Sequence, residues 1–194
     1  MTTKKHAFYG ILALVSLLGL GITQSAKANL VTNGGFETGD FTGWTQGGNL
    51  GFTSVSTITP HSGSWAARLG PIGSDGTLTQ NLATTGGGFY VLDYWLSNEG
   101  GTPSDFSVKW GGVTIPGSIL LDPPGFGYTE YTFTVFTSTA TTALEFDFRQ
   151  DPAYFHLDDI SVTFSRGVPD AGSTLPLLGF ALAGLGILRR KLGC

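Results

Sequence analysis

Along much of the chain, apolar and polar side chains alternate with a period of two. That spacing puts them on opposite faces of extended strands. In Tyr128–Thr137, Tyr131, Phe133 and Val135 share one face, and Thr132, Thr134 and Phe136 take the other. Ala143–Arg149 directs Leu144, Phe146 and Phe148 inward, with Glu145, Asp147 and Arg149 outward. Phe89–Asn98 sets Tyr90, Leu92, Tyr94 and Leu96 against Val91, Asp93 and Trp95. Asp105–Trp110 contributes Phe106, Val108 and Trp110. His156–Phe164 turns Ile160, Val162 and Phe164 inward, and the same parity points Asp158 inward. Asn98–Pro103, Gly111-Gly112 and Asp122–Gly127 break these runs as turns. Helical periodicity is almost absent. About eight short strands in one compact domain predict an all-β fold, a β-sandwich of jelly-roll type. The Gly/Thr-rich stretches Gly47–Gly51 and Thr84–Gly88 lack the spacing of a phosphate loop.

The alternation stops at both ends of the chain. Lys4 and Lys5 precede an apolar run, Ala7–Ile22, and the small-x-small site Ala26-Lys27-Ala28. This is a signal peptide over residues 1–28, removed by signal peptidase after Ala28. At the other end, residues 168–194 divide into three parts. A Pro/Asp/Gly motif spans Val168-Pro169-Asp170-Ala171-Gly172-Ser173-Thr174. Leu175–Leu188 follows without a charge, and Arg189, Arg190 and Lys191 close the segment. The apolar run predicts a membrane helix, with the basic cluster as its cytoplasmic stop. Fourteen helical residues cover only ~21 Å against ~30 Å of hydrocarbon, which suits a transient insertion. The tail resembles the PEP-CTERM sorting signals of bacteria, most closely the VPDSG-type variant, with Ala171 in place of its Ser. That resemblance implies cutting near the motif by a membrane-embedded, exosortase-type transpeptidase. It also implies delivery to the cell envelope, the cell surface or the extracellular space.

Removing both addresses leaves residues 29–167, the length of one domain. Its charge differs sharply from that of the whole chain. Four basic side chains (Arg68, Lys109, Arg149 and Arg166) stand against thirteen carboxylates, a net charge of −9. Such a surface repels phosphate backbones and excludes nucleic acid as a partner. The single cysteine, Cys194, lies at the end of the tail, so the exported domain has no disulfide, zinc spacing or redox pair.

Three blocks of the domain carry a second resemblance. They are Asn33-Gly34-Gly35-Phe36-Glu37 followed by Gly43-Trp44, then His61-Ser62-Gly63-Ser64-Trp65-Ala66, and then Phe155-His156-Leu157-Asp158-Asp159-Ile160-Ser161-Val162. The series resembles carbohydrate-binding modules with a galactose-binding-like jelly-roll fold. The resemblance implies a structural calcium ion held by Glu37 and Asp158, with loop carbonyls near His61–Ser64 completing the shell. An inward carboxylate needs such compensation, and hard oxygen ligands suit calcium. Backbone amides or Arg68 are the alternative partners for Asp158. Trp44 and Trp110 read as core. Trp95 is the candidate sugar platform, with Tyr128, Arg149 and Tyr154 as further ligand-binding candidates. No nucleophile or metalloprotease motif appears. These features predict a non-enzymatic, exported protein that associates with polysaccharide, the cell's own exopolysaccharide foremost. A matrix spacer without sugar specificity and a small glycoside-active enzyme are the alternatives.

Overall fold

The computed structural model describes residues 27–151 and 153–167. The leader before Lys27, the motif from Val168, the apolar run and the basic cluster lie outside the described residues, as does Pro152. Among the described residues there is no helix at all, and so none long and apolar enough to cross a membrane. The described residues form eleven strands: β1 (Thr45–Gly48), β2 (Ser54–Ser56), β3 (Ala66–Leu69), β4 (Gly76–Ala83), β5 (Gly88–Asn98), β6 (Ser104–Trp110), β7 (Val113–Thr114), β8 (Leu120–Leu121), β9 (Phe126–Thr137), β10 (Thr141–Gln150) and β11 (Phe155–Gly167). All pairings are antiparallel. One sheet runs β1-β4-β10-β6-β7, with β8 also on β6, and the other runs β2-β3-β11-β5-β9. The two sheets make the expected jelly-roll β-sandwich.

The register explains why alternation was a sound guide. Tyr94 pairs with Tyr131, Leu92 with Phe133 and Tyr90 with Val135. Phe146 pairs with Val108 and Leu78, and Phe148 with Phe106. These inward rows meet between the sheets, where Tyr94 approaches Phe146 edge-on at 5.4 Å and Phe106 lies 5.5 Å from Phe155. Phe106, Phe146, Phe148, Leu92 and Leu96 are completely buried, and Trp44 and Trp110 are core as expected. Phe164 is different. It keeps inward parity opposite Tyr90 but is 40% exposed at the end of the sandwich.

Two glycines in the quoted blocks have steric reasons. A Cβ on Gly34 would lie 2.1 Å from the Ile160 carbonyl, and that close approach carries the Ile160 N–H···O=C Gly34 bond of 3.0 Å. Gly63 has φ +60°, and a Cβ there would sit 2.2 Å from Glu37 Oε1. The chain enters the fold early. Asn29 bridges Thr163, and its Oδ1 accepts the N–H groups of Val31 and Val162.

The parity of the closing strand needs a correction. Leu157 opposes Leu96 and faces inward, so Asp158, opposite Trp95, belongs to the outer row. A β-bulge follows. The register shifts between Asp158 and Ser161, and Asp159 takes φ +49°. The extra residue returns Ile160 and Val162 to the core. Asp158 is nonetheless completely buried, because something covers that face.

Candidate functional site

The cover is the loop between β2 and β3, residues 57–65, which crosses the outer face of the five-stranded sheet. Carboxylates hold it in place. Asp158 Oδ2 accepts the N–H groups of His61 (2.8 Å) and Ser62 (3.2 Å), and Oδ1 accepts its neighbour Asp159 N–H at 2.7 Å. Glu37 Oε1 accepts Ser64 N–H (2.9 Å) and Trp65 N–H (3.0 Å). Asp159 holds the same loop through His61 Nδ1 (2.6 Å) and the Ser62 hydroxyl (2.7 Å). Asp158 Oδ1 and Glu37 Cγ both lie within 4 Å of the Cβ position of Gly35, so the first and last blocks of the domain converge here. Burial pushes the Asp158 carboxyl up to about 6, against the opposing pull of the amides.

The donor set can be tested against the implied calcium ion. Arg68 does not pair with Asp158. Its guanidinium lies 3.3 Å over the Tyr154 ring. Among the described residues no salt bridge reaches Asp158, so a buried carboxylate stands without a cation. Asp158 Oδ1 and Glu37 Oε2 each accept one amide and keep further lone pairs. These hard oxygens fit calcium. Among the described residues no group of three or more His, Cys, Asp or Glu side chains is arranged for a metal. The rest of a coordination shell would therefore have to come from backbone carbonyls and water.

The four ligand-binding candidates are not brought to one place. Trp95 and Tyr128 share the outer face of the five-stranded sheet. Trp95 is half-buried there. The His61 ring stacks on it at 3.9 Å and 14°, and Tyr128 flanks His61 at 5.1 Å. The Tyr128 hydroxyl donates to the Thr59 carbonyl at 2.8 Å. Burial and the nearby Asp158 charge hold that phenol above its ordinary range. Tyr154 packs against Gly70 beneath Arg68. Arg149 lies on the outer face of the other sheet and pairs with Asp151 at 2.8 Å. That face is open and ionic, with Lys109 bridging Glu145 (2.9 Å) and Asp147 (2.8 Å).

Beside the loop, a cleft of about 250 Å³ opens where β5 ends and β9 and β11 begin. Its walls include Thr59, Asn98, Glu99, Phe126, Tyr128 and His156. His156 is buried, with Nε2 2.8 Å from Glu99 Oε1 and Nδ1 3.2 Å from the Thr59 hydroxyl. Asn98 Nδ2 donates to the carbonyls of Pro123 and Pro124, which fixes the far wall. The cleft thus sets aromatic side chains beside fixed polar groups, as small-molecule sites do. Glu99, Asn98 and Phe126 carry no sequence motif. They come together from the end of β5, the residue after it and the start of β9, and the sequence offered no signal for them beyond their place beside turns.

The sandwich resembles in fold that of several solved structures, carbohydrate-binding modules among them. One is a CBM61 domain in complex with β-1,4-galactotriose, at 18% identity and TM-score 0.53, covering 71% of this chain and 99% of that one. Another is the CBM22-1 xylan-binding domain of Paenibacillus barcinonensis Xyn10C, at 15% identity and TM-score 0.52, covering 74% and 100%. A third is the enzymatically active domain of bacteriophage CBA120 tailspike protein 4, at 14% identity and TM-score 0.55. It covers 71% of this chain but only 21% of the tailspike chain. At these identities the likeness is one of fold. Residues 167–192 match the family model described as the VPDSG-CTERM motif. The tail therefore carries a sorting signal of that kind, which marks the protein as exported and directed to the envelope. No curated protein matches the chain.

Proposed function

We propose that this protein is a non-enzymatic, envelope-sorted module that holds polysaccharide, with exopolysaccharide as its ligand class. An exosortase-type enzyme processes its tail, and signal peptidase its leader. The observation that carries the sugar half is the cleft at the head of β11. There the Phe126 and Tyr128 rings stand beside Asn98, Glu99, Thr59 and the buried His156. Its volume of about 250 Å³ suits one sugar unit rather than a long groove. Tyr128 is the one sequence-predicted ligand residue that lines it. Calcium bound by Glu37 and Asp158 would neutralise the carboxylates that tether the loop, and so hold the Thr59 wall in place.

The covered state of Trp95 favours the second reading, a spacer without sugar specificity, over any site built on that ring. The test is retention of the full chain on exopolysaccharide from the source cells, on galactan and on xylan, beside Tyr128→Ala and Glu99→Ala variants. Retention that both variants lose supports the cleft. Retention by the native chain that neither variant alters moves binding elsewhere on the sandwich. Failure on every glycan leaves the spacer.

A further inference from the structure

Thirteen carboxylates give the domain its acidity, but they are not spread evenly. The end of the sandwich from which β11 leaves is built by segments 83–92, 110–119, 132–142 and 160–167. These contain no Asp or Glu, and Arg166 is their only Lys or Arg. Register joins them, with Gly167 opposite Gly88 and Gly88 opposite Thr137. The Trp110 indole N–H donates to the Phe136 carbonyl at 3.0 Å.

This end exposes apolar side chains among neutral Thr, Ser and Gly. Val113 is 71% exposed, Phe136 46% and Phe164 40%. An apolar groove of about 310 Å³ runs among Trp110, Val113, Ile115, Pro116, Val135 and Phe136. Arg166 sits 5.2 Å over the Phe89 ring. Exposed apolar side chains occur at the far end too, but there Ile72 and Leu121 stand beside Asp75, Asp122 and Asp151. The two ends thus differ in charge rather than in greasiness.

The chain decides what the carboxylate-free end meets. The described chain stops at Gly167, and the charge-free run starts at Leu175. Seven residues separate them, which span at most about 25 Å when fully extended. On the sorting-tail reading a bilayer takes up Leu175–Leu188, and a sandwich on so short a tether stays beside it.

We infer that this end of the sandwich rests on the lipid–water interface of that bilayer until the tail is cut, with Val113, Phe136 and Phe164 at headgroup depth. Aromatic rings and an arginine suit that layer. Carboxylates would be repelled by anionic headgroups, and here there are none. The inference rests on the sorting-tail reading. It adds that the sandwich has a membrane-facing end and holds the cleft, at the opposite end of β11, away from the lipid.

The test uses the full chain with Cys194→Ser, reconstituted in vesicles of phosphatidylethanolamine and phosphatidylglycerol. A fluorophore is placed in turn at Val113→Cys, Ile72→Cys and Leu182→Cys, and lipids carrying a headgroup nitroxide serve as quencher. The expected result is loss of fluorescence at positions 113 and 182 with none at 72. Quenching at 182 alone overturns the inference and leaves the sorting reading standing. Quenching at none of the three overturns both. Shielding of position 113 from a water-soluble quencher without lipid quenching also overturns it, because a protein then covers that end. All three sites bear exposed or tail side chains, and circular dichroism of each variant checks that the sandwich is intact.

Discussion

The two outer faces of the sandwich begin from the same alternating pattern and end in different states. On the six-stranded sheet the outward row is open. Lys109 shares itself between Glu145 and Asp147, and Arg149 pairs with Asp151. On the five-stranded sheet a loop lies across the outward row, burying Asp158 and half-burying Trp95. Alternation tells which side of a sheet a residue takes. It does not tell whether that side meets water, since a loop from elsewhere can close over it. The open face therefore holds its carboxylates with half-buried ion pairs between side chains, which contribute modestly. The covered face holds them with backbone amides, whose loss is costly.

The largest test of this contrast is Asp158→Ala beside Glu145→Ala. Removing Asp158 orphans the amides of His61, Ser62 and Asp159, and should cost about 3 kcal/mol in a denaturant melt. Removing Glu145 should cost less than about 1 kcal/mol. Equal losses would erase the distinction between the faces.

A pH series in chelator comes next. The Asp158 carboxyl is raised from 3.8 to about 6 in the folded chain, so between these values the native state binds more protons than the unfolded one. Stability should then fall as pH rises from 4 to 6, by up to about 3 kcal/mol. The Asp40, Glu145 and Asp151 carboxyls are lowered and act the opposite way, mainly toward the acid edge of that window, while burial raises the Asp105 and Asp147 carboxyls, which act in the same direction as Asp158. Calcium should restore the loss above pH 6, because it binds the ionised form. A melting temperature that ignores both calcium and chelator at pH 7 would remove the metal from the site.

His61→Ala should cost about 1 kcal/mol through the lost ring stack, and should make Trp95 fluorescence more sensitive to acrylamide. No change in quenching would mean that the loop, rather than the imidazole, shields the indole. The smallest effect is expected from Lys109→Ala on the open face, under about 1 kcal/mol and shrinking further in salt.

Much of the sandwich was legible because β5, β6, β9, β10 and β11 alternate over long runs. β4 was less so. Gln80 occupies an inward position there, satisfied by the backbone N–H and C=O of Thr32, and its polarity breaks the pattern. β1 and β2 are short and half-exposed, with little alternation to read. The bulge at Asp159 was invisible, since one extra residue alters parity without altering composition. The convergence of Glu37 and Asp158 was carried by the motif blocks. The cleft was not legible, because residues near positions 59, 98, 126 and 156 meet only through tertiary structure.

One strand links the two ends of this protein. β11 starts at the cleft beside His156 and runs to Gly167, where the tail departs. It lies inside its sheet, with β3 and β5 on its two sides. Thirteen extended residues reach about 43 Å. A glycan pulling at the cleft against an anchored tail would load that strand along its length. Its hydrogen bonds to β5 would then bear force side by side, in shear, instead of opening one after another like a zip. On the proposed function, the domain would act as a tie rod, with its grip and its mooring at opposite ends of one strand.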